Sequence, residues 1–371
     1  MSKPVSVSVV RAGADRAEAI AQAVELAGLH DAFQPGQRVT IKPNWHGGQG
    51  YTSPEVVVAM ARYARDRGAA EIVVADGPFY GSTRDSFAAY VDRMGVREGL
   101  ERLGARVAYL HDEPYTLHRG LSPHLPPELG IASLALDCDL LVNLPLMKTH
   151  FGTLVTFGLK NLKGCIRPQD KAAFHQLELH AAVVALHRVL RPHVTVMDAT
   201  TAYEGLGPSN GTPVPMGLVL CSANVVALDA VAVWLMGLEP RQVKLVQMAA
   251  KAGLGPMRLR DIDVRGEPLD AHRRTFVLPF DAFQANYPRL TLHHDHACSG
   301  CLGNLFSALA TAGRDAGQHY PAICLGPGEP RPPGALLVGD CACRGVEGHP
   351  AVAGCPPPIA DIIRALTRHT E

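Results

Sequence analysis

Lysine is scarce in this sequence: of the 35 basic residues, 8 are Lys and the remaining 27 are Arg. Three of the eight lysines nevertheless fall in one stretch, LMKTHFGTLVTFGLKNLKGC (146–165). An ammonium group is a compact point charge that can lose its proton when buried and can then act as a nucleophile, which a guanidinium does not do. The clustering of a scarce residue therefore marks this stretch as a candidate functional segment.

Several other features are missing. The formal net charge is +0 and aromatic residues make up 6% of the chain, so the composition does not favour a nucleic-acid-binding or membrane-surface protein. No long apolar segment is present, and the beginning MSKPVSVSVVRAGADR (1–16) lacks the apolar region of a signal peptide. No G-x-G-x-x-G follows a strand and no P-loop occurs. These absences predict a cytoplasmic protein without nucleic-acid or membrane partners, and they do not support NAD or FAD use.

Runs rich in β-formers alternate with helical patterns along the first 265 residues or so. The predicted strands are 5–10, 38–43, 71–76, 106–110, 139–145, 194–198, 218–223 and 261–266. The predicted helices are 14–29, 53–67, 86–103, 174–189, 225–235 and 241–252, with Ser53 and Asn224 as N-caps. This alternation predicts an α/β fold with a mostly parallel, doubly wound sheet in a domain spanning 1–285. A small Cys-rich metal module, with helices at 302–312 and 359–368 and a strand at 335–340, is expected over 286–371.

Polar residues follow four of the predicted strands. Ligands of an open parallel sheet bind beyond the carboxyl ends of its strands. The candidates at these ends are Lys42, Asn44, Asp76, Asn143, Lys148, His150, Asp198 and Glu204. Taken singly, Asn44, Asp76 and Asp198 are equally well explained as helix caps or turn formers. Taken jointly, the candidates predict one polar crevice, in which Asp198, Glu204 or Asp76 would supply protons.

The lysine-rich stretch adds Lys160, Asn161 and Lys163 to this crevice. Lys160 and Lys163 lie one turn apart if the segment is helical. Three glycines in the stretch permit close approach of the backbone to a ligand: Gly152, Gly158 and Gly164. Several cations beside an imidazole favour a small anionic ligand, either a carboxylate or a phosphate. The alternative is a solvated basic helix end.

Cysteine is concentrated near the C-terminus, where six of the nine cysteines lie in the last 75 residues. Thiols stay reduced in a cytoplasmic chain, so this concentration favours a metal site. The motifs are Cys298-x-x-Cys301, Cys341-x-Cys343 and Gly-Cys355-Pro. Thiolates favour iron–sulfur clusters or zinc. We predict a [4Fe–4S] cluster on Cys298, Cys301, Cys341 and Cys355, with Cys343 as the alternative to Cys341, and with zinc or no metal as the alternative contents.

Segments spread over about 200 residues resemble the domain-of-unknown-function 362 family. They are IKPNW (41–45), SPEVV (53–57), VADG (74–77), DLLVNLPLMKTH (139–150), GLKNLKG (158–164), MDATTAYEGLGPSNGTP (197–213) and SANVVALDAVAVWLMGL (222–238). The resemblance implies an α/β fold and, because members often carry iron–sulfur motifs at the C-terminus, a link to iron–sulfur chemistry. It implies no established reaction.

The segment from His150 to Lys160 is also similar, more distantly, to part of the nickel-pincer lactate racemase family. In that family a Lys anchors a pyridinium-derived cofactor and nearby His residues work with it. The resemblance implies Lys160 as an anchor and His150 as a catalytic or binding residue. This chain has fewer glycines before the Lys, and VADGPF (74–79) stands where that family has a His-containing strand end. The similarity therefore indicates a distant common fold rather than a shared cofactor.

Three functions are compatible with these residues. The first is an iron–sulfur oxidoreductase that passes electrons to a small anionic substrate in the Lys/His crevice, with an electron-donor protein as a partner. The second is a redox-neutral isomerase or lyase related to the lactate racemase fold. The third is a non-enzymatic electron carrier or a zinc-stapled ligand-binding protein. We favour the first, since the cysteine motifs are the most specific local signal.

Overall fold

The computed structural model describes residues 4–45, 48–79 and 81–368, apart from the side chains of Ala172, His175 and Gln176. The chain divides into two compact units. Unit 1 comprises Met1–Lys148, Val155–Tyr203 and Pro213–Phe276, and unit 2 comprises Thr149–Leu154, Glu204–Thr212 and Val277–Glu371. The predicted domain boundary between residues 285 and 286 falls inside unit 2.

The strands of the described residues lie as follows: β1 Val5–Arg11, β2 Arg38–Pro43, β3 Glu71–Asp76, β4 Arg106–Tyr109, β5 Tyr115–Arg119, β6 Glu128–Ala132, β7 Leu140–Leu144, β8 Leu146–His150, β9 Leu154–Val155, β10 Val194–Leu206, β11 Asn210–Val214, β12 Leu218–Ser222, β13 Ile262–Gly266, β14 Thr291–His293, β15 Ala322–Leu325, β16 Leu336–Val338 and β17 Ala351–Val352.

The α-helices are α1 Arg16–Leu26, α2 Pro54–Asp66, α3 Arg84–Met94, α4 Val96–Glu101, α5 Ser133–Leu136, α6 Gly158–Asn161, α7 Pro168–Gln176, α8 Leu179–Leu186, α9 Val225–Leu235, α10 Lys244–Lys251, α11 Leu269–His272, α12 Pro279–Asn286, α13 Ser299–Ala312, α14 Asp340–Cys343 and α15 Ile359–Thr367. Short 3-10 helices occupy His30–Ala32, Leu162–Cys165, Pro240–Gln242 and Leu259–Asp261.

The large sheet has the strand order β13-β1-β12-β10-β7-β2-β3-β4, and β8, β9 and β11 join it beside β10. Along this strand order the pairs are parallel except for β1 with β12 and β10 with β12. This topology confirms the predicted α/β class with a mostly parallel sheet. The carboxyl ends of β2, β3 and β7 meet at one edge, because Lys42 pairs with Asn143 and Ile41 with Val74 in register.

Helices cover both faces of the sheet. Along β1, Ser8 faces α1, donating from Oγ to the carbonyl of Ala23 at 2.6 Å, and Val10 belongs to the core that α1 and α2 share. Side chains alternate between the faces of a strand, so Val7 and Val9 point the other way, and both are fully buried. Helix α9 contacts β1 and β12 as well. The sheet is therefore doubly wound, because helices bury the side chains on both of its faces.

Unit 2 contains a parallel sheet of its own, in the order β14-β15-β16-β17. Its core joins Phe306 and Leu305 of α13 with Ile323, Val338 and Ile362. The sequence predicted only one strand here, since the others are only two to four residues long. The C-terminal region is therefore a small α/β structure with three strands beyond the one predicted.

Two predicted helices are each divided into two in the structure. The predicted helix 86–103 is two helices, because Gly95 ends α3 in the left-handed region at φ 68°. The predicted helix 174–189 is also two, since Glu178 caps α8 by accepting from Ala181 N at 2.6 Å.

Ser53 stands at the N-cap of α2 without a side-chain cap bond. Asn224 caps α9 as expected, accepting from Ala227 N at 3.0 Å.

No helix of the described residues is long and apolar enough to span a bilayer.

Candidate functional site

A buried ion pair lies where β2 and β3 end. Lys42 Nζ is 2.7 Å from Asp76 Oδ1, and the two side chains are 2% and 4% exposed. Asp76 Oδ2 accepts the backbone N–H of Trp45 at 2.6 Å, and Lys42 Nζ also donates to the Pro43 carbonyl at 2.7 Å. Both charges are thus paired and hydrogen-bonded, as burial requires. Asp76 is not a simple turn former here, because its main partner is the ammonium of the neighbouring strand.

Three amide side chains are fixed beside this pair. Asn161 Nδ2 donates to Asn143 Oδ1 at 2.8 Å and to the Lys42 carbonyl at 3.1 Å, and Asn143 Nδ2 donates to the Gly158 carbonyl at 3.0 Å. Asn161 Oδ1 therefore faces Lys42 Nζ at 3.5 Å and accepts from Asn44 Nδ2 at 3.2 Å. The buried Oδ1 of Asn44 has no hydrogen-bond partner among the described residues. The structure brings together the predicted Lys42, Asn44, Asp76, Asn143 and Asn161.

Four further lysines surround this core, and with Lys42 they form what we term the lysine cluster: Lys42, Lys148, Lys160, Lys163 and Lys171. Burial lowers the pKa of Lys148 to about 7, and the charge of Lys160 adds to the effect. Burial lowers the pKa of Lys160 to about 8. The pKa of Lys163 is well below its ordinary value because of burial and then the charges of Lys160 and Lys171. Burial thus pushes Lys148, Lys160 and Lys163 toward neutrality, and repulsion between the amines adds to the effect at Lys148 and Lys163.

Counter-charges within the cluster are few. Among the described groups whose charges act on these lysines, Asp76 is the only carboxylate. Lys148 donates to the Gly50 carbonyl at 2.8 Å, and Lys163 lies 5.9 Å from the centre of the Phe174 ring. Lys160 is half-buried, and no hydrogen bond or ion pair of the described residues involves its ammonium. One carboxylate among five lysines leaves an excess of positive charge in a mostly buried place.

The short helix that carries Lys160 is held from behind by two residues that the sequence did not point to. Asp229 of α9, 1% exposed, accepts the backbone N–H groups of Gly158 and Leu159, each at 2.9 Å. His187 Nε2 lies 2.7 Å from the Leu159 carbonyl, so it must carry the proton and donate. Burial lowers the pKa of His187 to about 4, which keeps this ring neutral. The position of Lys160 therefore depends on Asp229 and His187.

Replacing Asp229 with Asn should change how stability depends on pH. Burial raises the pKa of Asp229 to about 7, although its two backbone hydrogen bonds oppose the rise. The unfolded carboxyl titrates at about 4, so between about pH 4 and 7 the folded chain binds the extra proton and this stabilisation is lost as pH rises. We expect the free energy of unfolding in urea to fall less from pH 5 to 7 in Asp229→Asn than in the wild type. A difference between the two proteins that stays constant from pH 5 to 8 would contradict this assignment.

Two glycines allow the backbone to come close to the charged groups. A Cβ on Gly164 would stand 2.6 Å from Lys42 Nζ and 2.9 Å from Asp76 Oδ1. A Cβ on Gly77 would stand 2.6 Å from the Gly164 carbonyl oxygen and 2.8 Å from Lys171 Nζ. Neither position has room for a side chain, since real Cβ atoms do not approach other atoms so closely. Gly164 was predicted to let the backbone approach a ligand, which stays a prediction; its close contact with Lys42 and Asp76, and the role of Gly77, were not predicted.

Lys171 and His111 are parts of the site that the sequence reasoning missed. Lys171 Nζ lies 2.6 Å from His111 Nε2 and donates to the Gly77 carbonyl at 2.8 Å. His111 follows the carboxyl end of β4, where the rule used for the other strands would have found it. Lys171 could have been found from the scarcity of lysine, since it is one of only eight lysines in the chain.

The predicted proton donors occupy other settings. Asp198 is fully buried, and its oxygens accept from Ser53 N at 2.8 Å and from Thr200 N and Oγ1 at 2.9 and 2.7 Å, which are the contacts of a turn former. His150 and Glu204 belong to unit 2. There His150 Nδ1 accepts from Gly152 N at 2.9 Å, and Glu204 Oε2 accepts from Val277 N at 2.8 Å. Their catalytic roles stay predictions.

Four cysteines of unit 2 share one neighbourhood, and we term them the cysteine quartet: Cys298, Cys301, Cys341 and Cys355. The neighbouring thiol of Cys298 and burial raise the pKa of Cys301, and the charges of Cys298, Cys355 and Cys341 add to the rise. The segments that carry Cys341 and Cys355 are tied by Asp340, whose N–H donates to the Gly354 carbonyl at 3.0 Å and whose Oδ1 accepts from Gly354 N at 2.6 Å.

Cys343 differs from the quartet, because its Sγ lies 3.9 Å from the Leu337 carbonyl and none of the quartet acts on its pKa, which burial and then Asp340 raise. Close packing also surrounds Cys301, since a Cβ on Gly339 would lie 2.8 Å from its Sγ. Within residues 4–45, 48–79 and 81–368, no three His, Cys, Asp or Glu side chains group closely enough to hold a metal ion. The cluster and the zinc alternative therefore both stay predictions.

Comparison with known proteins identifies the family. Residues 39–234 match the family described as Domain of unknown function (DUF362), and this chain belongs to it. A thylakoid-associated protein of Synechocystis sp. is 29% identical over 242 residues, which are 62% of this chain and 73% of that protein.

Two solved structures are also similar. One is the lactate racemase apoprotein from Thermoanaerobacterium thermosaccharolyticum, with a TM-score of 0.37 and 16% identity over 52% of this chain and 50% of that one. The other, a protein from Thermotoga maritima, has a TM-score of 0.32 and 11% identity over 61% of this chain and 57% of that one. The matched part thus spans little more than half of either solved chain.

Proposed function

We propose that this protein is an iron–sulfur oxidoreductase that binds a small anionic substrate in the lysine cluster of unit 1 and a [4Fe–4S] cluster on the cysteine quartet of unit 2. The observation that carries the proposal is the packing of three separate cysteine motifs against one another. A Cβ on Gly339 would stand 2.8 Å from Cys301 Sγ, and Asp340 exchanges two hydrogen bonds with Gly354, the residue before Cys355. Cys343 is set apart, because its Sγ faces the Leu337 carbonyl. Four thiolates are the usual protein ligands of a [4Fe–4S] cluster. Such a cluster, when bound, supplies one-electron transfer.

The chain's own residues would bind and orient the substrate. Lys160 is the best candidate for direct contact, since it is half-buried and no described group neutralises it. Lys148 and Lys163 lie near enough to Lys160 that its charge lowers the pKa of each of them. Ammonium groups hold carboxylates or phosphates through charge-assisted hydrogen bonds. Asn44 offers its unpartnered Oδ1 to a hydrogen-bond donor on the ligand.

The test is anaerobic purification followed by measurement of iron, acid-labile sulfide, zinc and nickel, together with the visible spectrum. About four iron and four sulfide per chain, with a brown absorption that dithionite bleaches, are expected. One zinc and no colour would refute the redox proposal and leave the quartet as a structural zinc site. In that case the lysine cluster would still be the place to look for chemistry.

Anion binding should weaken as pH rises. The amines of Lys148 and Lys160 have pKa values of about 7 and 8, so they are charged at pH 6 and largely neutral at pH 9. Sulfate keeps its charge over this range and is a suitable probe in titration calorimetry. We expect its affinity to fall between pH 6 and 9, and Lys160→Met to weaken binding about tenfold at pH 6.5 through the loss of one charge-assisted contact of about 1.4 kcal/mol.

The matched control is Lys251→Met, which removes an exposed lysine at the end of α10. It should leave the affinity for sulfate unchanged. Equal affinities of the wild type and Lys160→Met, or an affinity that does not vary with pH, would count against the lysine cluster as the anion site.

A further inference from the structure

Lys171 begins a chain of hydrogen bonds that leads away from the lysine cluster. Its Nζ lies 2.6 Å from His111 Nε2, and His111 Nδ1 lies 2.8 Å from the Tyr109 hydroxyl. The Tyr109 hydroxyl donates to the Ser82 carbonyl at 2.6 Å and lies 2.9 Å from Ser82 Oγ. Lys171 is 3% exposed, whereas Ser82 is half-exposed. The path therefore joins a buried amine to a residue that reaches solvent.

The inner end of this path adjoins the Lys42–Asp76 pair. Gly77 and Gly164 separate Lys171 from that pair, and neither carries a side chain to block the approach. The charged and titratable groups that face Lys171 are Asp76 and Lys42 from the ends of β3 and β2, His111 after β4, and Cys165 and Lys163 from the segment before α7. Among them, Asp76 is the group that favours the ammonium most strongly.

We propose that Lys171, His111, Tyr109 and Ser82 form a proton relay that carries protons between the lysine cluster and solvent. Its use in a reaction rests on the proposed substrate site, but the relay itself is a property of the chain without ligand. When a lysine of the cluster gives up a proton, the relay would bring another from solvent. When a lysine gains a proton, the relay would carry it away.

Each transfer balances. With Lys171 as an ammonium, which can only donate, His111 Nε2 accepts and the ring proton sits on Nδ1. Lys171 then gives a proton to Nε2, Nδ1–H gives its proton to the Tyr109 oxygen, and the Tyr109 hydroxyl proton passes to Ser82 and solvent. The end state is a neutral Lys171 amine that accepts from Nε2–H. Inward transfer is the reverse, with Ser82 Oγ donating to Tyr109. One proton has moved, and His111 has changed tautomer.

The electrostatics of the path suit this cycle. Burial, and then the charge of Lys171, lower the pKa of His111 to about 3, so the ring is neutral near pH 7 and has both tautomers available. Burial lowers the pKa of Lys171 to about 7, with Asp76 opposing the shift. The ammonium and amine forms of Lys171 are therefore both populated near neutral pH. The His111 ring that contacts Lys171 does not become an imidazolium in this range.

The experiment is two-bond ¹H–¹⁵N spectroscopy of the full chain labelled at histidine, with His111→Gln identifying the ring signals. We expect a neutral His111 with the proton on Nδ1 at pH 5.5 and on Nε2 at pH 8.5, with a midpoint near 7. Lys171→Met should hold one tautomer across this range. An imidazolium at pH 7, or a tautomer that does not change with pH in the wild type, would overturn the proposal.

Tyr109→Phe tests the outer half of the path. Phe keeps the ring that stacks on Phe87 at 5.0 Å but removes the hydroxyl. Exchange of the His111 ring proton with water should slow about tenfold, as expected from the loss of one hydrogen bond of about 1.4 kcal/mol on the path. The control is Tyr115→Phe, which removes a hydroxyl that donates to the Leu110 carbonyl at 2.7 Å, off the path. Equal exchange rates in the two variants would show that Tyr109 carries no protons.

Discussion

Replacing Lys42 with Met is expected to destabilise unit 1 by about 3–5 kcal/mol, the range for breaking a buried ion pair on one side. The variant leaves the carboxylate of Asp76, 2% exposed, without its counter-charge and with one remaining backbone donor, Trp45 N. Urea unfolding followed by tryptophan fluorescence measures the effect, since Trp45 is fully buried next to the pair.

Lys244→Met is the matched control for this experiment. It breaks the ion pair of Lys244 with Glu178, 2.8 Å long, whose side chains are 58% and 43% exposed. Exposed pairs of this kind contribute about 0–1 kcal/mol. The double variant Lys42→Met, Asp76→Asn should recover part of the lost stability, because it leaves no unpaired charge. A Lys42→Met protein as stable as Lys244→Met would show that Lys42 and Asp76 are not a buried pair.

Serine in place of any member of the cysteine quartet is expected to lower the iron content of the anaerobically purified protein from about four per chain to less than one. Each of these residues supplies one of four thiolate ligands in the proposed cluster, and a serine hydroxyl is a harder, weaker ligand for iron–sulfur sites. Iron and sulfide analysis with the visible spectrum measures the loss.

Cys343→Ser is the internal control, and it decides between the two neighbouring candidates. Cys343 follows Cys341 by two residues in α14, yet its thiol faces the Leu337 carbonyl. The iron content of Cys343→Ser should equal that of the wild type. Loss of iron in Cys343→Ser with retention in Cys341→Ser would reassign the ligand, and retention in all five variants would remove the quartet as a cluster site.

The strands and the sheet class of unit 1 were predictable from sequence because they are apolar runs bounded by polar residues. Strand β3, for example, is the run EIVVAD, and it begins and ends where the pattern places it. The antiparallel position of β12 was not predictable, since LVLCS is buried on both sides, as is the parallel strand β7. The short strands of unit 2 contain too few residues to show the alternation of apolar and polar residues that marks a strand.

Site residues on strand ends were found because a parallel sheet delivers them to one edge. Lys42, Asp76 and Asn143 belong to this group. Residues that act through the backbone were not found: Asp229 lies within a fully apolar helix, and its two partners are N–H groups of a segment 70 residues earlier. Sequence patterns report side-chain type and spacing, whereas such contacts depend on how α6 and α9 meet.

Gly77 and Gly164 limit which substitutions the surroundings of the Lys42–Asp76 pair can accept. Any residue larger than glycine at 164 would overlap the Lys42 side chain, whose ammonium is fixed by Asp76, and at 77 it would meet a backbone oxygen. In a library that randomises the residues around the Lys42–Asp76 pair, we therefore expect the lysines and amides to vary and every folded clone to retain glycine at 77 and 164. The charge and the hydrogen bonds of the site could then change while its backbone keeps the same course.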